Sequence, residues 1–326
     1  DAILVDAKGK FLDRKSMGED VFWAIRGGGA GSWGAVYGWK IRLVDVPETV
    51  TALRVIRVGP RTEASKLLNK WQWVAPNLED EFSLMASLIP QTENIILSIF
   101  QGLYLGPKSS ALASISQAFP ELEVVESECK EMKWVETTAF FPDFTGQFTV
   151  DDLKNRFATS EQKSYLKWKG DYVRNQISGE GIEGMIDFLI KQPRGQIQLV
   201  PYGGIMARIP SDVIPHPHRE GILYTIGYLV AWNEDENDRS DTFMDWIHGL
   251  HEYMTPFVSK EPRVAYVNEV DLDLGVMDWE NHEISADELV ELGRRWGEKY
   301  FLANYDRLVR AKSVIDPNNV FKHQQS

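Results

Sequence analysis

Five glycines fall within eight residues of this chain, Gly27, Gly28, Gly29, Gly31 and Gly34, between two apolar segments. Glycine inside a helix or strand costs chain entropy, so such a cluster implies left-handed backbone angles or the close approach of a large ligand to bare backbone. Gly29, Gly31 and Gly34 have the spacing of a dinucleotide fingerprint, which also needs a strand before it and a helix after it. Here Gly18 to Ile25 reads as a short helix and Ala35 to Val44 as a strand, the reverse order, so the nicotinamide reading is weak. No G-x-x-x-x-G-K-[ST] loop occurs, which removes a nucleotide triphosphatase. On spacing alone, a glycine-rich hairpin without a ligand stays open.

The run Asn268-Glu-Val-Asp-Leu-Asp273 puts three acids in five residues beside apolar sequence. It marks either a strand emerging into solvent or a carboxylate in a cleft, where desolvation would raise the pKa of Glu269 towards that of a general base. His216-Pro-His218 and the pair His248 and His251 invite a metal reading, but without further His or Cys ligands a turn packing its rings on a sheet, and solvated or stacked histidines, are the expectation. No metal is assigned. Cys129 is the one cysteine, which excludes an internal disulfide, and no histidine precedes His216 to act as its base, so a buried structural thiol is expected. No G-x-S-x-G elbow anchors a serine hydrolase. The acids from Glu121 to Glu131 read as a solvated face, and nothing selects a glycosidase pair.

These groups must be held by a chain of 326 residues, 43% hydrophobic, long enough for more than one lobe. Its net charge of −13 opposes nucleic acid and anionic membranes, leaving a small molecule as the expected partner. No apolar run approaches a membrane span, and no signal-peptide pattern opens the chain. Asp1 begins inside an apparent hairpin turning at Lys8-Gly9, which reads as a cut chain.

Three textures follow one another: residues 1–47, 48–262 and 263–326. The middle one alternates runs of strands and helices, favouring α+β. Strands are expected over Val50–Val58, Glu81–Leu88, Asn94–Leu105, Lys163–Val173, Gln196–Tyr202 and Gly221–Trp232. Helices are expected over Thr62–Trp73, Ser109–Phe119, Cys129–Val135 and Asp241–Met254, with Phe140–Gln162 a surface crossing. Val264–Gly275 reads as extended, followed by helices over Ser285–Trp296, opened by the capping box Ser285-Ala-Asp-Glu288, and Lys299–Val314, stopped by Asp316-Pro.

Three separated motifs resemble the plant berberine-bridge-enzyme-like family of FAD-linked oxidoreductases, of the vanillyl-alcohol-oxidase type. They are Gly18 to Leu43, Pro201-Tyr-Gly-Gly-Ile-Met with Ile214-Pro-His-Pro-His-Arg-Glu-Gly221, and Ala265-Tyr-Val-Asn through Asp316-Pro-Asn-Asn to Ser326. The resemblance implies an α+β fold: residues 1–47 as the carboxy-terminal part of a PCMH-type FAD-binding lobe, 48–262 as a substrate lobe with a large antiparallel sheet flanked by helices, and 263–326 returning to the FAD lobe. It implies hydride transfer from an alcohol, sugar or amine carbon to flavin N5, with FAD and a small-molecule substrate as partners and a secreted or endomembrane location.

By the same resemblance Glu269 and Tyr202 are the catalytic candidates. Gly28, Gly29, Ser32, Gly34, Asn268 and Asn304 would approach FAD, and Tyr224 and Tyr228 would line the substrate. Two departures stand out. The family usually has Asn-Tyr-Arg-Asp where this chain has Asn268-Glu-Val-Asp271, and Gln or Glu where Gly227 stands. The residues that tether flavin covalently lie in the family's amino-terminal half, and Cys129 does not match them. The alternative is therefore a truncated or decayed non-catalytic relative that only binds a ligand or partner.

Overall fold

The computed structural model describes residues 1–29, 31–142, 146–155, 164–279 and 285–325. The strands in chain order are β1 (Ala2–Val5), β2 (Phe11–Leu12), β3 (Ala35–Trp39), β4 (Val50–Pro60), β5 (Phe82–Pro90), β6 (Ile95–Tyr104), β7 (Cys129–Met132), β8 (Ser164–Val173), β9 (Gly195–Pro201) and β10 (Tyr224–Asn233). The helices are α1 (Arg14–Met17), α2 (Glu19–Ala24), α3 (Arg61–Val74), α4 (Lys108–Ala118), α5 (Trp134–Phe140), α6 (Gly179–Leu189), α7 (Ile205–Arg208), α8 (Ser240–Met254), α9 (Ala286–Phe301) and α10 (Tyr305–Ile315). Contacts group them into two units: residues 1–44, 206–221 and 259–326 form the first, and 45–205 with 222–258 the second. The grouping puts 206–221 with the chain's two ends, where the sequence reading had it in the middle lobe.

The second unit is built on an antiparallel sheet ordered β7-β4-β6-β5-β9-β10-β8. Alternation decides its faces. Tyr224, Ile226, Tyr228, Val230 and Trp232 are all buried on one side. There Trp71 of α3 meets Tyr224 edge-on, Phe119 beyond α4 meets Phe100, and Phe243 of α8 stacks on Trp232 at 5.1 Å. Each such side chain removed from water contributes about 1.5–3 kcal/mol, so this face carries the unit's stability. The opposite face holds Gly227 beside Gln198, then Ser87, Ile99 and Ile56 in register.

In the first unit β1 lies between β2 and β3, and α2 packs with α10. A cluster of Trp23, Trp33, Trp296, Tyr300, Phe301 and Leu308 forms its centre. Ser285 caps α9 as expected: its Oγ accepts from Glu288 N while Glu288 Oε2 accepts from Ser285 N at 2.9 Å. Two expectations fail. Residues 129–132 form the edge strand β7, because pairing with Val50–Leu53 outweighs the helical spacing. Residues 264–275 are turns with one 3-10 turn at Leu272–Leu274, since Asp271 Oδ1 accepts from Asp273 N and closes the chain locally. The expected crossing over Phe140–Gln162 and the start of the strand at Lys163 lie partly outside the described residues.

Candidate functional site

Three segments of the first unit converge. Helix α2 ends in the glycine turn, with Gly28 N donating to Ala24 O at 2.8 Å. A Cβ on Gly27 would rest 3.6 Å from His216 N, and one on Gly29 would be 3.2 Å from Val267 Cγ2. The glycine turn therefore abuts both the His-Pro turn and the 265–269 turn. The His216 ring meets the Tyr266 ring edge-on at 5.4 Å.

Each segment is clamped by its own unit. Trp23 Nε1 donates to Asp212 O at 2.8 Å, and Asn304 Nδ2 donates to Ser211 O and Pro215 O. His218 Nε2 lies 3.0 Å from Tyr300 O. The 265–269 turn closes through Glu269 N donating to Tyr266 O, and Asn268 Nδ2 donates to the Tyr266 hydroxyl at 2.8 Å. Glu269 itself is half-buried.

Ser32 and the tail meet at a second node. Lys312 Nζ donates to Ser32 O, Phe321 O and Asp316 Oδ2. Asp316 also accepts from Val320 N and Phe321 N. Burial works to raise the Asp316 pKa, but Lys312 and these two backbone donors outweigh it and hold the carboxyl below its ordinary value. Burial lowers Lys312, and the Asp316 bond only partly opposes this. Asp316-Pro-Asn-Asn, read from sequence as a helix stop, is thus the acceptor of a charged knot.

His216 is the strongly shifted base of the three-segment site. Burial, then the charge of Arg219, pushes its pKa down to about 4, so the imidazole is neutral near pH 7 and offers a donor or acceptor without charge.

The sites expected from sequence separate accordingly. Gly28 and Gly34 serve packing: a Cβ at either would lie 2.6 Å from a backbone oxygen, of Ala24 and Val5 respectively. Asn304 is spent on the clamp, and Ser32 Oγ lies 3.1 Å from His323 Nε2. Gly29, with φ +91°, Asn268 and Glu269 remain at the three-segment surface. Gly31 follows in the same glycine run, with φ +83° and open space within 4 Å of a would-be Cβ.

Tyr224 and Tyr228 belong to the core instead of a substrate surface. They are 1% and 0% exposed, and their hydroxyls reach Gln72 Oε1 and Asp171 Oδ2. Strand parity sends both under the helices. Burial raises Tyr224 further above its ordinary pKa. Tyr202 is half-buried in the second unit, edge-on to Tyr172 at 5.6 Å.

His251 lies 3.7 Å from Asp171 Oδ2 and edge-on to Tyr228. The rings of His216 and His218 pack edge-on to each other, and His216 rests on Tyr266, not on a sheet. Among the described residues no group of three or more His, Cys, Asp or Glu is placed to hold a metal. Cys129 is buried, with its thiol pushed up to about 11 by burial and then Glu128, which leaves it inert. Among the described residues no helix is long and apolar enough to cross a membrane.

An α+β architecture with a large antiparallel sheet flanked by helices is shared with solved proteins. Residues 265–326 match the family described as Berberine and berberine like. The chain is 51% identical to Berberine bridge enzyme-like D-2 of Nicotiana tabacum and 46% identical to Reticuline oxidase of Eschscholzia californica, covering 100% of this chain and 60% of each relative. The structure of berberine bridge enzyme from Eschscholzia californica superimposes with a TM-score of 0.95 at 46% identity, over 100% of this chain and 64% of that one. The chain is similar along its whole length to berberine bridge enzyme-like proteins, and it spans about three-fifths of the length of those curated relatives.

Proposed function

We propose that this chain forms part of an FAD-linked oxidoreductase acting on a small molecule with an alcohol, sugar or amine carbon. Its first unit would hold one edge of the flavin. The convergence of 27–31, 214–219 and 265–269 carries the reading. The open backbone at Gly31 fits a flat ring at close approach, and Gly29 sets the turn against Val267, whereas Gly28, Gly34 and Asn304 are used by the fold. When bound, FAD would accept a hydride from the substrate carbon at N5.

The chain's own residues supply the rest. Glu269, on a closed turn beside Tyr266, would take the substrate proton at a carboxylate oxygen. Asn268 and neutral His216 would orient polar atoms by hydrogen bonds, and Val267 and Tyr266 would exclude water from one side. Glu269→Gln in the flavin-loaded protein should slow reduction of the flavin by substrate about 100-fold or more while flavin binding is unchanged. Equal reduction rates would remove Glu269 as the base, and a purified protein without flavin absorbance would remove the oxidoreductase reading.

A ligand-binding relative without catalysis is the second reading. It is favoured at Gly227, whose missing side chain is replaced by the Trp168 indole lying over its Cα. A flavin-loaded protein that no alcohol, sugar or amine reduces would favour it.

A further inference from the structure

Arg219 sits on the His-Pro turn, and its residue is only 6% exposed. Its Nη1 donates to the Met206 thioether sulfur at 3.2 Å, a weak acceptor. Among the described residues Nε has no partner, and no carboxylate forms an ion pair with this guanidinium. A buried cation whose one hydrogen bond goes to a weak thioether acceptor opposes folding, and its retention calls for a compensating group. Pro217 and the clamps on Asp212, Ser211 and Pro215 fix the backbone of the turn that carries the arginine. Arg219 follows His216 by three residues on the same turn, and His216 packs on Tyr266 of the 265–269 turn, so the arginine belongs to one of the segments that form the three-segment surface.

We propose that Arg219 is the anion anchor of this surface, holding an oxyanion of the bound small molecule, a phosphate or carboxylate, on donors that the fold leaves unmet. The planar fork of arginine suits two-point contact with such a group, which a lysine ammonium cannot reproduce. The proposal rests on the three segments being a small-molecule site. It adds to that reading the charge of the ligand and the residue that recognises it.

Calorimetric titration of the 326-residue chain and of Arg219→Met with FAD, riboflavin and benzoate tests it. If the oxyanion is a dinucleotide phosphate, Arg219→Met weakens FAD roughly 30-fold, the effect of a charge-assisted hydrogen bond, and leaves riboflavin unchanged. If it is a carboxylate on the substrate, benzoate weakens by that factor and both flavins do not. Arg219→Lys should fall between. Loss of benzoate affinity in a chain that binds no flavin would support the anchor while removing the FAD reading. The same affinities in both proteins for all three probes, including no binding by either, would overturn the anchor. Without ligand, Arg219→Met should melt at or above the parent temperature, because an uncompensated cation has gone. A clear drop in melting temperature would mean that the fold itself satisfies the guanidinium, and would also overturn the proposal.

Discussion

Removing the Asp316 carboxylate should unfold the tail from the first unit. The side chain is 1% exposed and accepts from Lys312 Nζ at 2.8 Å, Val320 N at 2.9 Å and Phe321 N at 2.8 Å. Each hydrogen bond to a charged group is worth about 1.5–3 kcal/mol, and the bonds share one acceptor and do not add. Lys312 keeps Ser32 O and Phe321 O at 2.7 Å, so its charge is only partly stranded. The expected loss for Asp316→Ala is therefore about 3–5 kcal/mol, and about half that for Asp316→Asn, which keeps one acceptor. Because the folded carboxyl sits below its ordinary pKa, its contribution is complete at pH 7 and is lost only as pH falls through the lowered value. Urea unfolding at pH 7, with Lys312→Met and the double variant completing a cycle, measures both the loss and the pair coupling. A loss below about 1 kcal/mol for Asp316→Ala would refute the knot as a stabilising device.

Other expectations follow from the same geometry. Gly28→Ala should cost about 1–3 kcal/mol in urea unfolding, because its Cβ meets Ala24 O at 2.6 Å and Leu308 Cδ2 at 2.8 Å. Gly31→Ala should cost about 1 kcal/mol from its left-handed backbone alone, and weaken flavin binding more than Gly28→Ala does at matched stability. His216 stays neutral in the fold down to pH about 4 while an unfolded histidine protonates near 6.5, so stability should fall as pH drops through that window. His216→Phe should flatten this slope by up to about 3 kcal/mol between pH 7 and 4, and an unchanged slope would place the proton elsewhere. Tyr228→Phe, which removes a hydroxyl bonded to buried Asp171, should lower the unfolding midpoint without changing substrate affinity.

Much of the scaffold could be read from periodicity. Strands β4, β5, β6, β8, β9 and β10 and helices α3, α4 and α8 fall within a few residues of their expected bounds, because alternation and helical spacing report burial directly, whereas α9 runs on from the expected Trp296 to Phe301 and α10 starts at Tyr305 instead of Lys299. Residues 129–132 escaped, since a four-residue edge strand has no period of its own and is made by its neighbour β4. The site was less legible. A glycine needed for a ligand and one needed for packing look alike, and only the positions of Ala24 O and Val5 O separate Gly28 and Gly34 from Gly31. Tyr224 and Tyr228 were misplaced because one sheet face is core and parity cannot say which. His216 was visible only as half of a possible metal pair, and Lys312 could not be found from spacing, as Ser32, whose carbonyl it holds, lies far along the chain.

If the glycine turn and residues 214–219 and 265–269 form one flavin-facing surface, bound FAD should protect all three segments, and hydrogen exchange of the protein with and without FAD reads this. Slowed exchange in these three segments together, with α3 and α4 unchanged, is the predicted result. Protection confined to other regions, or none in the three segments while FAD is bound, would contradict it.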